Sequence, residues 1–268
     1  MPDFSIITAN RNYARFLSQC LQSVADQLDV TVEHWVMDGE SSDDSAAVVA
    51  RYAHAQWHCE SDNGMSEAIN RGFERATGDW VMWLNADDFL LPGALAAMLV
   101  YLKNTDADLV YGDFRFVDES GRLQRRLKVP CWSPFVHVHH ECYVPSTAAF
   151  YRRSSIIEAG YRLRQDFHYV MDGEWYARLA RDGKIFEHAP VEIACFRLHG
   201  NNASMRYLGK KTNMSAILSA ERQHIESRAI RRAYGVTVFQ DPYLNGWIDG
   251  FLWLIAKGWK WCLRRLTK

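Results

Sequence analysis

The first third of the chain alternates short apolar, β-branched runs with stretches whose apolar side chains recur at helical spacing. The predicted strands are "FSIITA", "VEHWVMDG" and "DWVMWLNA", and the predicted helices between them are "YARFLSQCLQSVADQ" and "SEAINRGFERATG". A further predicted helix, "AAVVARYAHA", follows Ser41, Ser42 and Asp43, residue types that favour helix N-termini. This alternation predicts an α/β fold with a mostly parallel central sheet and helices on both faces.

Polar side chains end each of the predicted strands. Residues 10–12 (Asn-Arg-Asn) follow the first strand, Asp38 ends the second, and Asp87 and Asp88 follow the third. Ligands of open α/β sheets bind beyond the carboxyl ends of the strands, so we expect these side chains to share a site. Two adjacent carboxylates suit Mg²⁺ or Mn²⁺, and Mg²⁺ commonly keeps substrate phosphates among its ligands. The alternative is that either carboxylate only starts the helix that follows.

Composition excludes several classes of protein. The 268 residues are 48% hydrophobic and 24% charged, as in globular domains, and the formal net charge of -1 gives no overall basis for binding nucleic acid. Six cysteines without a CxxC pair indicate reduced thiols, not a zinc module or a disulfide framework. The N-terminus, "MPDFSIITAN", lacks the pattern of a signal peptide, so we expect a cytoplasmic protein.

Three blocks carry a family resemblance: "VMDGESSDDS", "ESDNGMSEAINRGFERATGDW" and "WLNADD". Their order and spacing resemble the family 2 glycosyltransferases over roughly residues 4 to 205. The resemblance implies the GT-A fold, Mn²⁺ or Mg²⁺ as cofactor, and an inverting, metal-dependent glycosyltransferase. Its donor would be a nucleotide-diphosphate sugar, with a UDP sugar favoured. Its acceptor would be a hydroxyl of a lipid-linked or polysaccharide glycan in cell-envelope synthesis.

The family's functional positions can be carried over residue by residue. The implied donor-binding residues are Ala9, Arg11, Asp38, Asp62, Asn70, Asp87 and Arg197. The implied metal ligands are Asp87, Asp88 and His199. Asp172 in "YVMDGEWYARL" is implied as the catalytic base that takes the acceptor proton, and Glu174 is its nearby rival. The alternatives are ordinary structural roles: a turn for Asp38, a helix cap for Asp172 and a surface histidine for His199.

The chain has two main departures from the family pattern in the donor half, and a milder one at Glu67, where Asp is commoner. Asn85 stands where many members carry the first Asp of an Asp-x-Asp motif, so we expect the metal to bind together with the donor. Arg11 stands where the family has an aromatic residue; it could stack on the base, reach the diphosphate or point into solvent. In the second half, residues 130–145 are predicted to be a long loop whose "HVHHE" run favours acceptor contact over zinc.

The predicted organisation is a catalytic domain, 1–205, followed by a helical extension, 206–268. The domain divides into a donor half, about 1–93, and an acceptor half, about 94–205. The last segment, "YLNGWIDGFLWLIAKGWKWCLRRLTK", has one apolar helical stripe, four tryptophans and a net charge of +4. Charged residues interrupt the apolar run, so we predict an amphipathic helix in the membrane interface at the cytoplasmic face, not a spanning helix. The alternative is packing on the catalytic domain or on a second subunit, as in a homodimer.

Two other functions share parts of this pattern. A sugar-1-phosphate nucleotidyltransferase would be expected to carry a glycine-rich, basic loop after the first strand, and "TANRNYARF" contains no glycine. A non-catalytic GT-A scaffold or sugar-nucleotide sensor would be expected to lack Asp87 or Asp172, and both are present. The sequence therefore favours the transferase.

Overall fold

The computed structural model of the chain describes residues 1–200, 202, 214–235 and 242–266, with the backbone alone for 214–220, 242–250 and 265–266. The strands are β1 (Phe4–Asn10), β2 (Val32–Asp38), β3 (Ala55–Cys59), β4 (Trp80–Trp83), β5 (Phe89–Leu90), β6 (Leu109–Val117), β7 (Leu123–Leu127), β8 (Ala149–Arg152) and β9 (Phe186–Arg197). The helices are α1 (Ala14–Ala25), α2 (Ser45–Val49), α3 (Met65–Arg75), α4 (Ala94–Leu102), α5 (Pro134–His139), α6 (Met171–Arg181), α7 (Met214–Tyr234) and α8 (Pro242–Leu266).

All of these strands belong to one sheet, in the order β3-β2-β1-β4-β8-β6-β9-β5, with β7 beside β6. The first four strands pair in parallel, so their carboxyl ends lie along one edge. Strand β8 is antiparallel to both β4 and β6, and β9 is parallel to β6. The predicted α/β architecture is confirmed, and its second half adds antiparallel pairs to the parallel first half.

Helices cover both faces of the first half because successive side chains of a strand point to opposite faces. On one face, Val36 of β2 packs with Leu17 and Leu21 of α1. On the other face, its neighbour Met37 belongs to the main core together with Phe73 of α3. The apolar faces of α1 and α3 are therefore both buried against β2, one on each side of the sheet.

Strand β3 and helix α5 are among the elements that the sequence pattern does not predict, as are the short strands β5 and β8. Strand β3 is an edge strand whose side chains are mostly half-exposed, so it lacks a clear apolar alternation. Helix α5 lies inside the predicted loop, where Ser133 accepts a hydrogen bond from the backbone nitrogen of Val136. The loop prediction is wrong for Pro134–His139. The predicted acceptor contact fails for His137 and His139, because both are buried.

The two C-terminal helices pack on the second half of the sheet domain. Helix α7 contacts α5 and α6, and α8 contacts α5. The predicted boundary at residue 205 falls among residues that the structure does not describe. Among the helices that it does describe, none combines the length and the apolar character needed to cross a membrane.

Helix α8 has an inner and an outer face. On the inner face Ala256 is fully buried, and Lys260 forms an ion pair with Glu141 and lies over the ring of Tyr143. Burial lowers the pKa of Lys260 to about 7. The large apolar side chains exposed on the rest of the helix are Phe251, Leu254, Ile255, Trp259 and Trp261. Packing on the catalytic domain thus accounts for one face of the apolar helix and leaves the other in solvent.

Candidate active site

Asp88 turns inward at the end of β4. Its carboxylate is 1% exposed and accepts hydrogen bonds from the backbone nitrogen of Arg197 at 2.9 Å and from Nδ2 of Asn85 at 2.9 Å. Burial and the neighbouring charge of Asp87 raise the pKa of Asp88 well above its ordinary value. Asp88 therefore joins the turn after β4 to the end of β9, and its role as a metal ligand stays a prediction.

Asp87 faces a different set of partners. Its Oδ2 lies 2.8 Å from Nε2 of His199 and accepts a hydrogen bond from Nδ2 of Asn202 at 3.1 Å. The ring of His199 is held against Phe16, with 4.8 Å between the ring centroids. Asn202 is not among the predicted site residues; the only sequence signal for it is the polar run "GNN" after His199. The predicted ligands Asp87 and His199 are thus brought together from strand ends that are distant in sequence.

The spacing of Asp87 and His199 fits two neighbouring ligands of one cation. Adjacent ligands of an octahedral Mg²⁺ are about 3 Å apart when each bond is about 2.1 Å long. Among the described residues, no group of three or more His, Cys, Asp and Glu side chains is arranged to hold a metal. A cation at this pair would therefore need further ligands, which donor phosphates can supply.

Asp38 and Asp62 meet at the carboxyl end of β2. The Asp38 carboxylate is 2% exposed and accepts hydrogen bonds from Nδ2 of Asn10 at 2.6 Å and from the backbone nitrogen of Ser41 at 2.8 Å. A Cβ on Gly39 would overlap Oδ2 of Asp62, so that carboxylate lies directly over the turn. These contacts match the turn-forming alternative for Asp38. The role of Asp38 in donor binding stays a prediction.

The remaining donor-binding predictions fall in different surroundings. Ala9 is half-buried in β1, and Arg11 is exposed just beyond it. Asn70 of α3 forms two hydrogen bonds with the backbone of Leu163: its Nδ2 donates to the carbonyl at 2.8 Å, and its Oδ1 accepts from the nitrogen at 2.9 Å. The side-chain amide of Asn70 thus connects the donor half to the acceptor half.

Arg197 lies in the interior and is 2% exposed. Its guanidinium donates to the carbonyl of Asp87 at 2.8 Å, to the carbonyl of Glu119 at 2.8 Å and to Oε1 of Gln19 at 2.6 Å. A planar fork with several donors is suited to holding three acceptors at once. Arg197 fixes the backbone that carries the Asp87 carboxylate. Its role in donor binding stays a prediction.

Asp172 and its rival Glu174 differ sharply in environment. Asp172 is half-buried in the first turn of α6, its Oδ1 accepts the backbone N–H of Gly173 at 2.8 Å, and burial raises the pKa of the carboxyl to about 6. Glu174 is fully buried, forms an ion pair with Arg178 and accepts a hydrogen bond from the hydroxyl of Tyr234 at 2.6 Å. Of the two carboxylates, Asp172 is the one that reaches the surface.

These features define a class of protein. A parallel half-sheet gathers carboxylates at its strand ends, and a second, mixed half presents another carboxylate at the start of a helix. That is the arrangement of a GT-A glycosyltransferase. The chain belongs to glycosyl transferase family 2, whose family model matches residues 5–158, more than half of the chain. Asp172, Arg197 and His199 lie beyond the matched region.

Relatives and solved structures agree with this assignment. An uncharacterised glycosyltransferase of Nostoc is 26% identical over 252 residues, which cover 87% of this chain and 78% of that protein. A Mycobacterium tuberculosis glycosyltransferase of PGL/p-HBAD biosynthesis is 36% identical over 119 residues, which cover 42% of this chain and 46% of that protein. The match thus spans less than half the length of the mycobacterial relative.

Two solved structures show the same fold. Staphylococcus aureus TarS 1-349 in complex with UDP-GlcNAc has a TM-score of 0.64 and 14% identity, covering 96% of this chain and 80% of that chain. The mannosyltransferase PcManGT from Pyrobaculum calidifontis, in complex with GDP-Man and Mn²⁺, has a TM-score of 0.56 and 15% identity, covering 97% and 83%. The predicted GT-A fold and the prediction of a family 2 glycosyltransferase are confirmed.

Proposed function

We propose that this enzyme is an inverting, metal-dependent transferase that moves a sugar from a nucleotide diphosphate to a hydroxyl of a lipid-linked or polysaccharide acceptor. The observation that carries the proposal is that the candidate side chains form two separate groups, one at the donor end of the sheet and one in the acceptor half. Asp87 and His199 form a close pair at the donor end of the sheet. Asp172 presents a separate carboxyl of raised pKa in the acceptor half.

The donor end supplies binding and orientation. Asp87 and His199 would hold Mn²⁺ or Mg²⁺, with Asp88 beside them. When bound, the cation supplies positive charge that binds the diphosphate and stabilises it as a leaving group. Arg197 and Asn202 keep the Asp87 carboxylate in place through hydrogen bonds. We expect Asp38 to contact the base of the nucleotide and Asp62 to line the donor pocket beside it.

The acceptor end supplies proton transfer. As the acceptor oxygen forms its bond to the anomeric carbon, the Asp172 carboxylate accepts the hydroxyl proton. The bond from that carbon to the diphosphate oxygen breaks on the opposite side, so the configuration inverts. A carboxyl with a pKa near 6 is ionised at pH 7 and is more basic than an ordinary aspartate.

The choice of donor and acceptor rests on the relatives. TarS was solved with UDP-GlcNAc and PcManGT with GDP-Man and Mn²⁺, so we favour a UDP sugar and keep GDP sugars as the first comparison. The mycobacterial relative is named for PGL/p-HBAD biosynthesis, which favours a glycan of the cell envelope as acceptor.

A membrane surface is the proposed location of the acceptor. The outer side chains of α8 include Phe251 at 63% and Trp259 at 56% exposure, and residues 251–264 contain basic but no acidic side chains. Tryptophan favours the headgroup region, and basic residues favour anionic lipid. We therefore propose peripheral attachment at the cytoplasmic face. A homodimer stays a prediction.

Two substitutions test the separate roles of Asp87 and Asp172. Asp87→Asn should abolish the Mn²⁺-dependent rise in melting temperature that nucleotide diphosphates produce, because it removes the charged ligand of the pair. Asp172→Asn should keep that rise and lose sugar transfer. A panel of UDP-glucose, UDP-GlcNAc and GDP-mannose, each with and without Mn²⁺, identifies the base. Normal transfer by Asp172→Asn would show that the base assignment is wrong.

A further inference from the structure

Helix α6, which carries Asp172, begins without a cap of its own. Its N-cap residue is Val170, whose side chain cannot accept a hydrogen bond. The first N–H groups of a helix have no partner within the helix, and in most proteins a nearby Ser, Thr, Asp or Asn side chain satisfies one of them. Here a carboxylate of another helix accepts the N–H of the N-cap residue, Val170, and those of the two residues before it.

Glu226 of α7 binds the chain that leads into α6. One carboxylate oxygen accepts the backbone N–H of His168 at 3.0 Å, and the other accepts those of Tyr169 at 2.9 Å and Val170 at 3.1 Å. Three consecutive N–H groups that converge on one carboxylate form an anion-binding nest, and hydrogen bonds to a charged acceptor are among the strong ones. Asp172 follows two residues after this nest.

The same face of α7 continues along the first turn of α6. Glu226, Ile230 and Tyr234 are spaced four residues apart and so lie on one side of the helix. The Cδ1 atom of Ile230 lies 3.6 Å from where a Cβ on Gly173 would be, and Tyr234 donates to Glu174. Helix α7 therefore contacts the residues before and after Asp172.

A second helix fixes this turn from another direction. Nε2 of His137 in α5 lies 2.8 Å from the carbonyl oxygen of Gly173. Burial lowers the pKa of His137 to about 4, so the ring is neutral at pH 7 and can donate one N–H to this carbonyl. The turn that bears Asp172 is thus held by side chains from α5 and α7.

We propose that Glu226 is a positioning residue for the catalytic base: it fixes the start of α6 and thereby the direction of the Asp172 carboxyl. This inference rests on the proposed role of Asp172. Glu226 lies outside the region that matches the family model, which ends at residue 158. If Glu226 has this role, α7 is required for catalysis and is not only a C-terminal extension of the domain.

The test compares turnover with donor binding in Glu226→Gln and Glu226→Ala. Displacement of a catalytic group by about 1 Å can cost about 100-fold in rate, so we expect kcat to fall about 10- to 100-fold in Glu226→Ala and less in Glu226→Gln, which keeps one acceptor oxygen. The donor KM and the Mn²⁺-dependent thermal shift should stay unchanged. UDP-glucose, UDP-GlcNAc and GDP-mannose are the probes, and nucleotide release is the readout.

Glu221→Gln is the matched control, because Glu221 is exposed on the same helix. Its kcat should stay at the wild-type value, because this substitution leaves the hydrogen bonds of Glu226 to residues 168–170 in place. Hydrogen exchange gives a readout apart from activity: the amides of residues 168–170 should exchange faster in Glu226→Ala, while those of the central strands keep their protection.

Two results would overturn the inference. One is an unchanged kcat in Glu226→Ala despite faster exchange at residues 168–170. The other is a parallel loss of kcat and donor binding, which indicates general destabilisation. Failure of the proposed function looks different, because Asp172→Asn would then transfer normally. If Asp172→Asn is inactive and Glu226→Ala is fully active, the positioning role alone is wrong.

Discussion

At the scale of single residues, the environment of Asp172 sets the pH range in which the enzyme can work. Removal from water raises the pKa of the carboxyl to about 6, and the N–H of Gly173 offsets only part of this effect. A carboxyl in such surroundings holds its proton more tightly than an ordinary aspartate, which is useful for a base that must take a proton from a hydroxyl.

The first prediction concerns the acidic side of the pH profile. The active form of Asp172 is the carboxylate, so kcat/KM should level off above pH 6 and fall tenfold per pH unit below about pH 6, the pKa of this carboxyl. The measurement is nucleotide release over pH 4.5 to 8.5 at saturating Mn²⁺. A limb with its midpoint near 4 would mean that the carboxyl is hydrated as in an ordinary aspartate.

The same shift predicts how Asp172→Asn changes stability. The folded pKa of about 6 lies above the ordinary 3.8, so ionisation of Asp172 opposes folding. This cost is absent below about pH 4, grows between about pH 4 and 6 and is complete above that range. Asp172→Asn should therefore raise the free energy of unfolding at pH 7.5, by on the order of 1 kcal/mol for a partly exposed carboxyl, and change little at pH 4. Urea unfolding at both pH values checks this, with the exposed Asp106→Asn as control.

At the scale of elements, close packing of α3 on β1 holds the donor half together. A Cβ on Gly72 would overlap Cγ2 of Ile7, a side chain that is fully buried in β1. Glycine is the residue that allows a helix and a strand to approach this closely. Because Gly72 has no side chain, α3 can pack directly against β1.

Gly72→Ala should therefore destabilise the protein although alanine favours helices. Overpacking of a filled core costs about 1 to 3 kcal/mol, which exceeds the gain of about 1 kcal/mol in helix propensity. Thermal unfolding should show a lower melting temperature. Ala97→Gly in α4 is the propensity control, and a Gly72→Ala protein more stable than the wild type would contradict the packing argument.

Sequence patterns predicted the elements whose apolar side chains are regularly spaced, including β1, β2 and α3. They missed β3, because an edge strand with half-exposed side chains has no clear periodicity. In the site, the strand-end carboxylates were predictable from position alone. The nest around Glu226 was not, because its three N–H donors lie 56 to 58 residues away in sequence and all belong to the backbone, so no side-chain pattern marks them.

At the scale of the whole molecule, α8 combines a buried face with an exposed one. Trp253 lies against His140 with 5.3 Å between the ring centroids, and Lys260 pairs with Glu141, so the helix is held on α5 and the segment after it. The outer face carries apolar side chains that stay largely exposed, with exposed fractions of 42% to 63%. The helix can therefore reach a surface outside the protein while it stays packed.

Vesicle flotation tests this outer face. The double variant Phe251→Ser/Leu254→Ser should lose binding to vesicles that contain anionic phosphatidylglycerol and keep the wild-type melting temperature, because both side chains are exposed. Leu28→Ser/Ile185→Ser removes two equally exposed apolar residues elsewhere and should bind as the wild type does. Unchanged flotation of the α8 variant would exclude the membrane role. A concentration-dependent change in oligomeric state instead would favour a second copy of the chain.

The side-chain amide of Asn70 forms two hydrogen bonds with the backbone of Leu163, one as donor and one as acceptor, as two paired strand residues do. These bonds connect α3, in the donor half, to the segment that precedes α6, the helix that carries Asp172. A displacement of α3 away from that segment would have to break both bonds. The two halves are therefore already joined at this point before any substrate arrives, and any closure over a bound donor would have to involve other segments.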